Sequence, residues 1–385
     1  MKKDVKAYKG FELGAIRPPS EARSLLLRVT RNCPYNKCTF CGLYKGEKFS
    51  IRLKEHVLRD IDLIKRCVDI LKESNNKSEL NRYERVNKFE KELDKNFNRA
   101  YKSALSWYRG GMESVFLQDA NSLIIKPHDM VEILTYIREK FPEVKRITTY
   151  ARSHTVAKIK DEDLRKFKEA GLNRIHIGME SAADEVLKLV KKGVDKKTHI
   201  IAGKKVKKAG IQLSEYFMPG LGGNEYSKEH VLETSDALNK INPDFIRIRT
   251  LAVTDKSPLA KDYEEGIFTR TNDEVMVNEL LLLLKNLKGI TSTIKSDHIL
   301  NLIQEIEGVL PQDKEEMISN LQWFLNLNKK EKMIFKLGRR MGIISSMKDL
   351  YNNSKRLRVK NIIKKNNISI NNIDLVVDNL MKRYI

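Results

Sequence analysis

The sequence predicts an α/β fold, a partial (β/α)6 barrel followed by a helical C-terminal region. Three observations carry this. Six short runs rich in Val, Ile, Thr, Tyr and Phe recur up to about Val253. Stretches with helical spacing of apolar residues lie between them, several ending on a glycine. Strand and helix alternate through short connections, the pattern of a parallel sheet with right-handed crossovers.

The predicted strands are Ser24–Thr30, Ser114–Asp119, Arg146–Ala151, Arg174–Met179, Gln212–Met218 and Phe245–Val253. The predicted helices between them are Asp129–Phe141, Asp161–Gly171, Ala183–Gly193, Thr198–Gly210 and Ser227–Asn242. A polar, Asn- and Lys-rich stretch over about 75–106 keeps helical spacing at Leu80, Tyr83, Val86 and Phe89 and reads as a helical insertion in the barrel. After about Asp255 no further strand is expected; Asn272–Lys288, Lys295–Glu307 and Lys314–Leu327 read as helices. The division is an N-terminal extension (1–22), a barrel (23–255), a helical region (256–345) and a basic tail (346–385).

At 385 residues with 41% hydrophobic and 32% charged side chains, the chain is long and apolar enough for a sizeable core. The longest apolar run, Leu280–Leu284, is far below the roughly 18 residues of a membrane span, so no membrane association is expected. The N-terminal residues lack an apolar signal segment, and the expected location is cytoplasmic. The net charge of +22 favours anionic partners. The bases are spread through a Lys-, Asn- and Ile-rich chain, and Ile363, Ile368, Ile370, Ile373, Leu375 and Val377 in the tail suit packing better than nucleic-acid binding. A nucleic-acid partner is therefore the less favoured reading.

In a barrel of this kind the chemistry sits on loops after the C-terminal ends of the strands. Three of the four cysteines, Cys33, Cys38 and Cys41, follow the first strand with spacing C-x4-C-x2-C. Thiolates suit zinc or iron–sulfur. A closed structural zinc site needs four ligands, and the nearest further candidate is His56. Three thiolates on a 4Fe–4S cluster instead leave one iron open for a small molecule. Cys67, in an amphipathic helix, reads as a buried structural thiol.

This loop resembles that of the radical S-adenosylmethionine (radical SAM) enzymes, whose usual signature is C-x3-C-x-aromatic-C after the first barrel strand. Phe40 matches the aromatic position, near the adenine in the family; the first gap is one residue longer here. The resemblance implies a 4Fe–4S cluster on Cys33, Cys38 and Cys41, with SAM on the open iron. It extends over roughly Ser24–Val253. At the family's Gly-Gly-Glu-like turn, which receives the methionyl amine, this chain has Gln118-Asp119-Ala120-Asn121. That segment also reads as an Asx turn. Arg152 and Ser153 follow the third strand, within reach of ribose, carboxylate or substrate by this placement. Gly178–Gly193 is similar to a segment of the oxygen-independent coproporphyrinogen oxidase and methylthiotransferase branch. There Glu180, followed by Ser181, would face the ribose hydroxyls, and Lys192 the SAM carboxylate. The turn Met218–Gly223, with Gly220 and Gly222, is similar to the family's glycine turn near the adenine.

The segment Ser296–Asn301 resembles the C-terminal region of an uncharacterised radical SAM subfamily, and its Asp297 and His298 are the candidate catalytic pair, since a carboxylate can orient an imidazole. With only Cys67 left over, a second cysteine-ligated cluster is not expected. The implied activity is reductive cleavage of SAM to a 5′-deoxyadenosyl radical that abstracts hydrogen from an unidentified substrate, fed by a flavodoxin- or ferredoxin-type electron donor. The competing readings are an RNA-modifying enzyme of the same chemistry and a non-catalytic iron–sulfur or zinc protein.

Overall fold

A computed structural model describes residues 7–75 and 95–384. The described chain is α/β, its sheet strands mostly parallel. It divides into two compact units, one made of Met1–Tyr35, Gly46–Ile177 and Lys205–Gln212, the other of Asn36–Lys45, Gly178–Lys204 and Leu213–Ile385.

The first unit opens with β1 (Leu25–Arg28), then a small antiparallel pair, β2 (Thr30–Arg31) with β3 (Ser50–Ile51). Helices α1 (Lys54–Asn75) and α2 (Lys95–Arg109) follow. Next come β4 (Ser114–Gln118), α3 (Pro127–Lys140), β5 (Arg146–Ala151), α4 (Ser153–Lys158), α5 (Asp161–Glu169) and β6 (Leu172–Glu180), the last strand running on into the second unit. Strands β1, β4, β5 and β6 pair in parallel in that order, with Leu27 opposite Leu117, Val115 opposite Ile147 and Tyr150 opposite His176. All five residues of β4 are buried, as a parallel strand covered on both faces requires. Ile61, Ile64, Cys67 and Val68 of α1 are fully buried. Trp107 of α2 packs edge-on against Phe141 and donates its indole N–H to the Ser114 carbonyl at 2.8 Å. The expected insertion is thus helical where it is described, at Lys95–Arg109; Leu80, Tyr83, Val86 and Phe89 lie outside the described residues.

After β6 come α6 (Asp184–Leu189), α7 (Lys196–Lys208), β7 (Gln212–Phe217), α8 (Ser227–Ile241) and β8 (Phe245–Ile248). Helix α6 stops four residues short of the expected Gly193, because Lys191 and Gly193 both take left-handed φ. Beyond Asp255 lie α9 (Pro258–Glu264), α10 (Asp273–Asn286), β9 (Thr293–Lys295), β10 (Gly308–Val309), α11 (Lys314–Asn326), α12 (Lys329–Arg340), α13 (Asn353–Lys365) and α14 (Ile373–Met381).

Two expectations fail here. Strands do not stop at Asp255: β9 continues the parallel ladder beside β8, and β10 pairs antiparallel with β9. Lys295–Glu307 is not a helix. Its polar side chains bond backbone groups inside and outside the segment and hold it in an irregular course. Ser296 Oγ donates to the Ile303 carbonyl at 3.0 Å, and Asn301 donates to the Ile248 carbonyl at 2.8 Å while accepting from the Thr250 N–H at 2.9 Å. In the tail, Val359, Ile373, Val377 and Met381 are buried, whereas Leu357, Ile370 and Leu375 stay exposed. Among the described residues no helix is long and apolar enough to cross a membrane.

Candidate functional site

The β2–β3 ladder closes the base of the cysteine loop, with Thr30 opposite Ile51 and Arg31 opposite Ser50. Asp119, fully buried just past β4, fastens the start of that loop. Its Oδ2 accepts the Asn32 N–H at 3.0 Å and Arg28 Nε at 2.8 Å. Arg28 also reaches Asn32 Oδ1 at 3.1 Å, and Asn32 holds the left-handed φ of 66° that turns the chain into Cys33. A buried carboxylate taking a backbone N–H and a guanidinium is a strong, charge-assisted anchor. In this structure Asp119 thus serves the loop itself.

Asn121 joins two strand ends. Its Oδ1 accepts the Arg152 N–H at 3.0 Å, and its Nδ2 donates to Thr155 Oγ1 at 2.9 Å. The Arg152 guanidinium lies 4.0 Å from the centroid of the Tyr35 ring, a cation–π contact onto a residue of the cysteine loop. Ser153, buried, opens α4. Cys33, Cys38 and Cys41 are partly exposed and not in disulfides, and Cys67 is fully buried, its thiol pushed up to about 12 by desolvation. Among the described residues no three Cys, His, Asp or Glu side chains converge as a ready metal cage. The donor chemistry nonetheless suits a thiolate-held cluster, since three accessible soft ligands lie within nine residues.

In the second unit, Phe40 belongs to a short segment pinned by two backbone bonds, Thr39 N–H to the Val190 carbonyl and Leu259 N–H to the Thr39 carbonyl, both 2.9 Å. Its ring packs against an apolar cluster containing Val186, Val190, Met218, Leu221 and Leu259. Lys192 Nζ stands 5.3 Å from the centroid of that ring and 3.7 Å from Glu180 Oε1. Gly178 leaves room for this: a Cβ there would lie 2.4 Å from Glu180 Oε1, so any other residue would push the Glu180 carboxylate from its place. Glu180 itself takes φ 66°.

Beside this pair lies Glu215 of β7, which the sequence reading passed over. It is 1% exposed, and neither of its carboxylate oxygens has a hydrogen bond of normal geometry; Glu180 Oε2 is likewise buried and unpartnered. Desolvation, then the Glu180 charge, push the Glu215 carboxyl well above its usual range; Lys192 and the Met179 amide offset this only in part. The signal was present, since Glu215 is the one charged residue in the strand run Gln212–Met218.

Around them the backbone is tightly held. Met218 N–H bonds the Glu180 carbonyl at 3.0 Å. His230, fully buried, places Nδ1 2.8 Å from Ser181 Oγ and Nε2 3.1 Å from the Met218 carbonyl. Burial holds its imidazole near pKa 4 and so neutral. Ser181 Oγ also accepts the Ala183 N–H at 3.1 Å. Gly220 has φ 87°, and the Gly222 carbonyl accepts the Tyr226 N–H at 3.1 Å.

Asp297 and His298 are not paired as the sequence reading expects. Asp297 Oδ2 lies 2.6 Å from Arg247 NH1, and His298 Nδ1 accepts the Leu300 N–H at 3.3 Å. Burial and Arg249 hold the His298 pKa down at about 4, against the pull of Asp297.

A family model described as the radical SAM superfamily matches residues 27–235. The chain belongs to the radical SAM superfamily. Its members are enzymes, and membership implies a 4Fe–4S cluster and SAM. A curated relative, the tRNA uridine(34) acetyltransferase of Methanocaldococcus infernus, is 24% identical over 162 residues, 41% of this chain. The match spans only 30% of that relative's length. Among solved structures, methylornithine synthase is 16% identical, with 77% of this chain and 68% of that one covered at a TM-score of 0.43. Coproporphyrinogen III oxidase from Escherichia coli is 14% identical, with 60% and 44% covered at a TM-score of 0.37. Membership in this radical SAM family rests on the family match.

Proposed function

We propose that this protein is a radical SAM enzyme in which Cys33, Cys38 and Cys41 hold a 4Fe–4S cluster, and Phe40, Glu180, Glu215 and Lys192 receive SAM. When bound, these groups supply one-electron cleavage of the sulfonium, yielding methionine and a 5′-deoxyadenosyl radical that abstracts hydrogen from a substrate. The observation that carries the reading is the trio of buried carboxyl oxygens without a hydrogen bond of normal geometry, Glu180 Oε2 and both oxygens of Glu215, beside Lys192 and Phe40. Buried polar atoms are rarely left unpaired unless a ligand completes them. Ligand hydroxyls would satisfy them, and Lys192 offsets the charge of Glu180. Asp119 and Arg152 act one step back: they hold Asn32 and Tyr35, so the cysteine loop keeps its course. An electron donor of flavodoxin or ferredoxin type fits a partly exposed cysteine loop.

The test is anaerobic reconstitution with iron and sulfide, then assay for 5′-deoxyadenosine with dithionite and SAM. The expected outcome is about four irons per chain and a reduced-cluster EPR signal perturbed by SAM. Zinc filling the site under these conditions would refute the proposal.

A second reading, an RNA substrate, is favoured by the relative that acts on tRNA and by the net charge of +22. Lys355, Arg358, Lys364 and Lys365 lie on α13, where Lys364 and Lys365 are exposed. Retention of tRNA at roughly 200 mM salt, where phosphate contacts alone are much weakened, would support it. Equal binding of heparin would remove it.

A further inference from the structure

Glu279 lies in the middle of α10, 2% exposed, in the region C-terminal to the family match. Its two oxygens are divided. Oε2 accepts the Gly220 N–H and Oε1 accepts the Ser227 hydroxyl, each at 2.6 Å. One carboxylate therefore spans the glycine turn from Gly220 to the first residue of α8. The rest of the turn is held from the same side. Asn224 N–H bonds the Thr269 carbonyl at 3.0 Å, and a Cβ on Gly220 would lie 2.9 Å from Thr271 Oγ1 and 3.0 Å from Met276 Sδ. The turn passes this constraint on: Gly223 N–H bonds the Gly220 carbonyl at 3.1 Å, Leu221 N–H bonds the Met218 carbonyl at 3.2 Å, and Met218 N–H bonds Glu180.

We propose that Glu279 is a positioning residue through which the C-terminal region shapes the glycine turn and the Glu180 strand end, and so sets the affinity for SAM. This rests on the function proposed above, and it assigns to the C-terminal helices a part in the cofactor site. The geometry makes the clamp depend on ionisation. A carboxylate accepts two charge-assisted hydrogen bonds, whereas a protonated carboxyl accepts from the Gly220 amide alone and turns its O–H to the Ser227 hydroxyl, which leaves two weaker neutral bonds. Burial pushes the Glu279 carboxyl up to about 7, against the two donors that favour its charged form. The groups facing it are the Gly220 amide from the turn and the Ser227 hydroxyl from α8; no charged side chain contributes to the shift. The clamp is closed above pH 7 and loosens below it.

The experiment compares wild type with Glu279→Gln, which keeps the shape but cannot ionise, and with Ser227→Ala, which removes one partner. Hydrogen exchange on the reconstituted protein without SAM reads the turn directly. Titration calorimetry with SAM under anaerobic conditions, at pH 6 and pH 8, reads affinity. Wild type should protect the Gly220 amide better at pH 8 than at pH 6 after correction for intrinsic exchange, and should bind SAM about three- to tenfold more tightly there than Glu279→Gln. That gap should close by pH 6, and Ser227→Ala should lie between the two at pH 8. A Glu279→Gln affinity equal to wild type at both pH values overturns the inference. A uniform loss at both pH values overturns it too, since a merely structural role predicts that result. If SAM fails to bind wild type at all, the functional reading falls and this inference with it.

Discussion

Replacing Glu215 by leucine should make the protein more stable and the cofactor site worse. Glu215 is buried, and neither oxygen has a hydrogen bond of normal geometry, so the folded protein bears the cost of a poorly satisfied buried polar group, about 1–3 kcal/mol. Leucine fills similar space without that cost. The gain should depend on pH with a definite sign. The carboxyl is raised above its ordinary value of 4.5, so the folded state favours the neutral acid. The wild-type contribution is intact below about pH 4.5 and is lost as pH rises from there towards the raised folded value. The advantage of Glu215→Leu should therefore be smaller at pH 5 than at pH 8. Urea denaturation of the cluster-free protein at the two pH values measures it, as the shift in midpoint multiplied by the slope. Removing an acceptor that SAM needs should meanwhile weaken SAM binding by about ten- to a hundredfold, equivalent to about 1.5–3 kcal/mol. A less stable variant, a pH-independent gain or an unchanged SAM affinity would refute the reasoning.

Alanine at Cys33, Cys38 or Cys41 should abolish cluster binding in iron and visible-absorbance measurements, whereas Cys67→Ala should retain it, its thiol being buried and pushed up to about 12. Cys67 should also resist alkylation in the folded protein while the other three react, followed by mass spectrometry. Asp119→Ala leaves Arg28 and the Asn32 amide without their shared acceptor; it should cost about 1.5–3 kcal/mol of stability and speed iron loss to a chelator, and normal iron retention would count against the loop anchor. Gly178→Ala should weaken SAM binding with little effect on the cluster, because its Cβ displaces the Glu180 carboxylate.

The chain order already contains the barrel pattern. All six expected strands form, because each is a short run of β-branched and aromatic residues that a helix would leave unburied on one side. The cysteine spacing is local, so it is readable without coordinates, and so is the pairing of Phe40 with the last cysteine. The same local logic misread Lys295–Glu307. Its apolar spacing looked helical, but Ser296 and Asn301 bond to backbone as far away as Ile248 and Thr250, and no window along the sequence contains those partners.

The cysteine spacing carries the resemblance to the radical SAM family, which the family match shows; the ligand role of the three thiols and the place of Glu180 are what that resemblance implies, and both are local features of the sequence. The uses of the polar residues depend on contacts across long stretches of chain. Asp119 turns to Asn32 and Arg28, Asp297 turns to Arg247, and Glu279 reaches back 59 positions to Gly220. A carboxylate in a sequence carries only its charge; burial and the donors that folding brings to it decide whether it anchors a loop, is left short of donors like Glu215, or holds a turn.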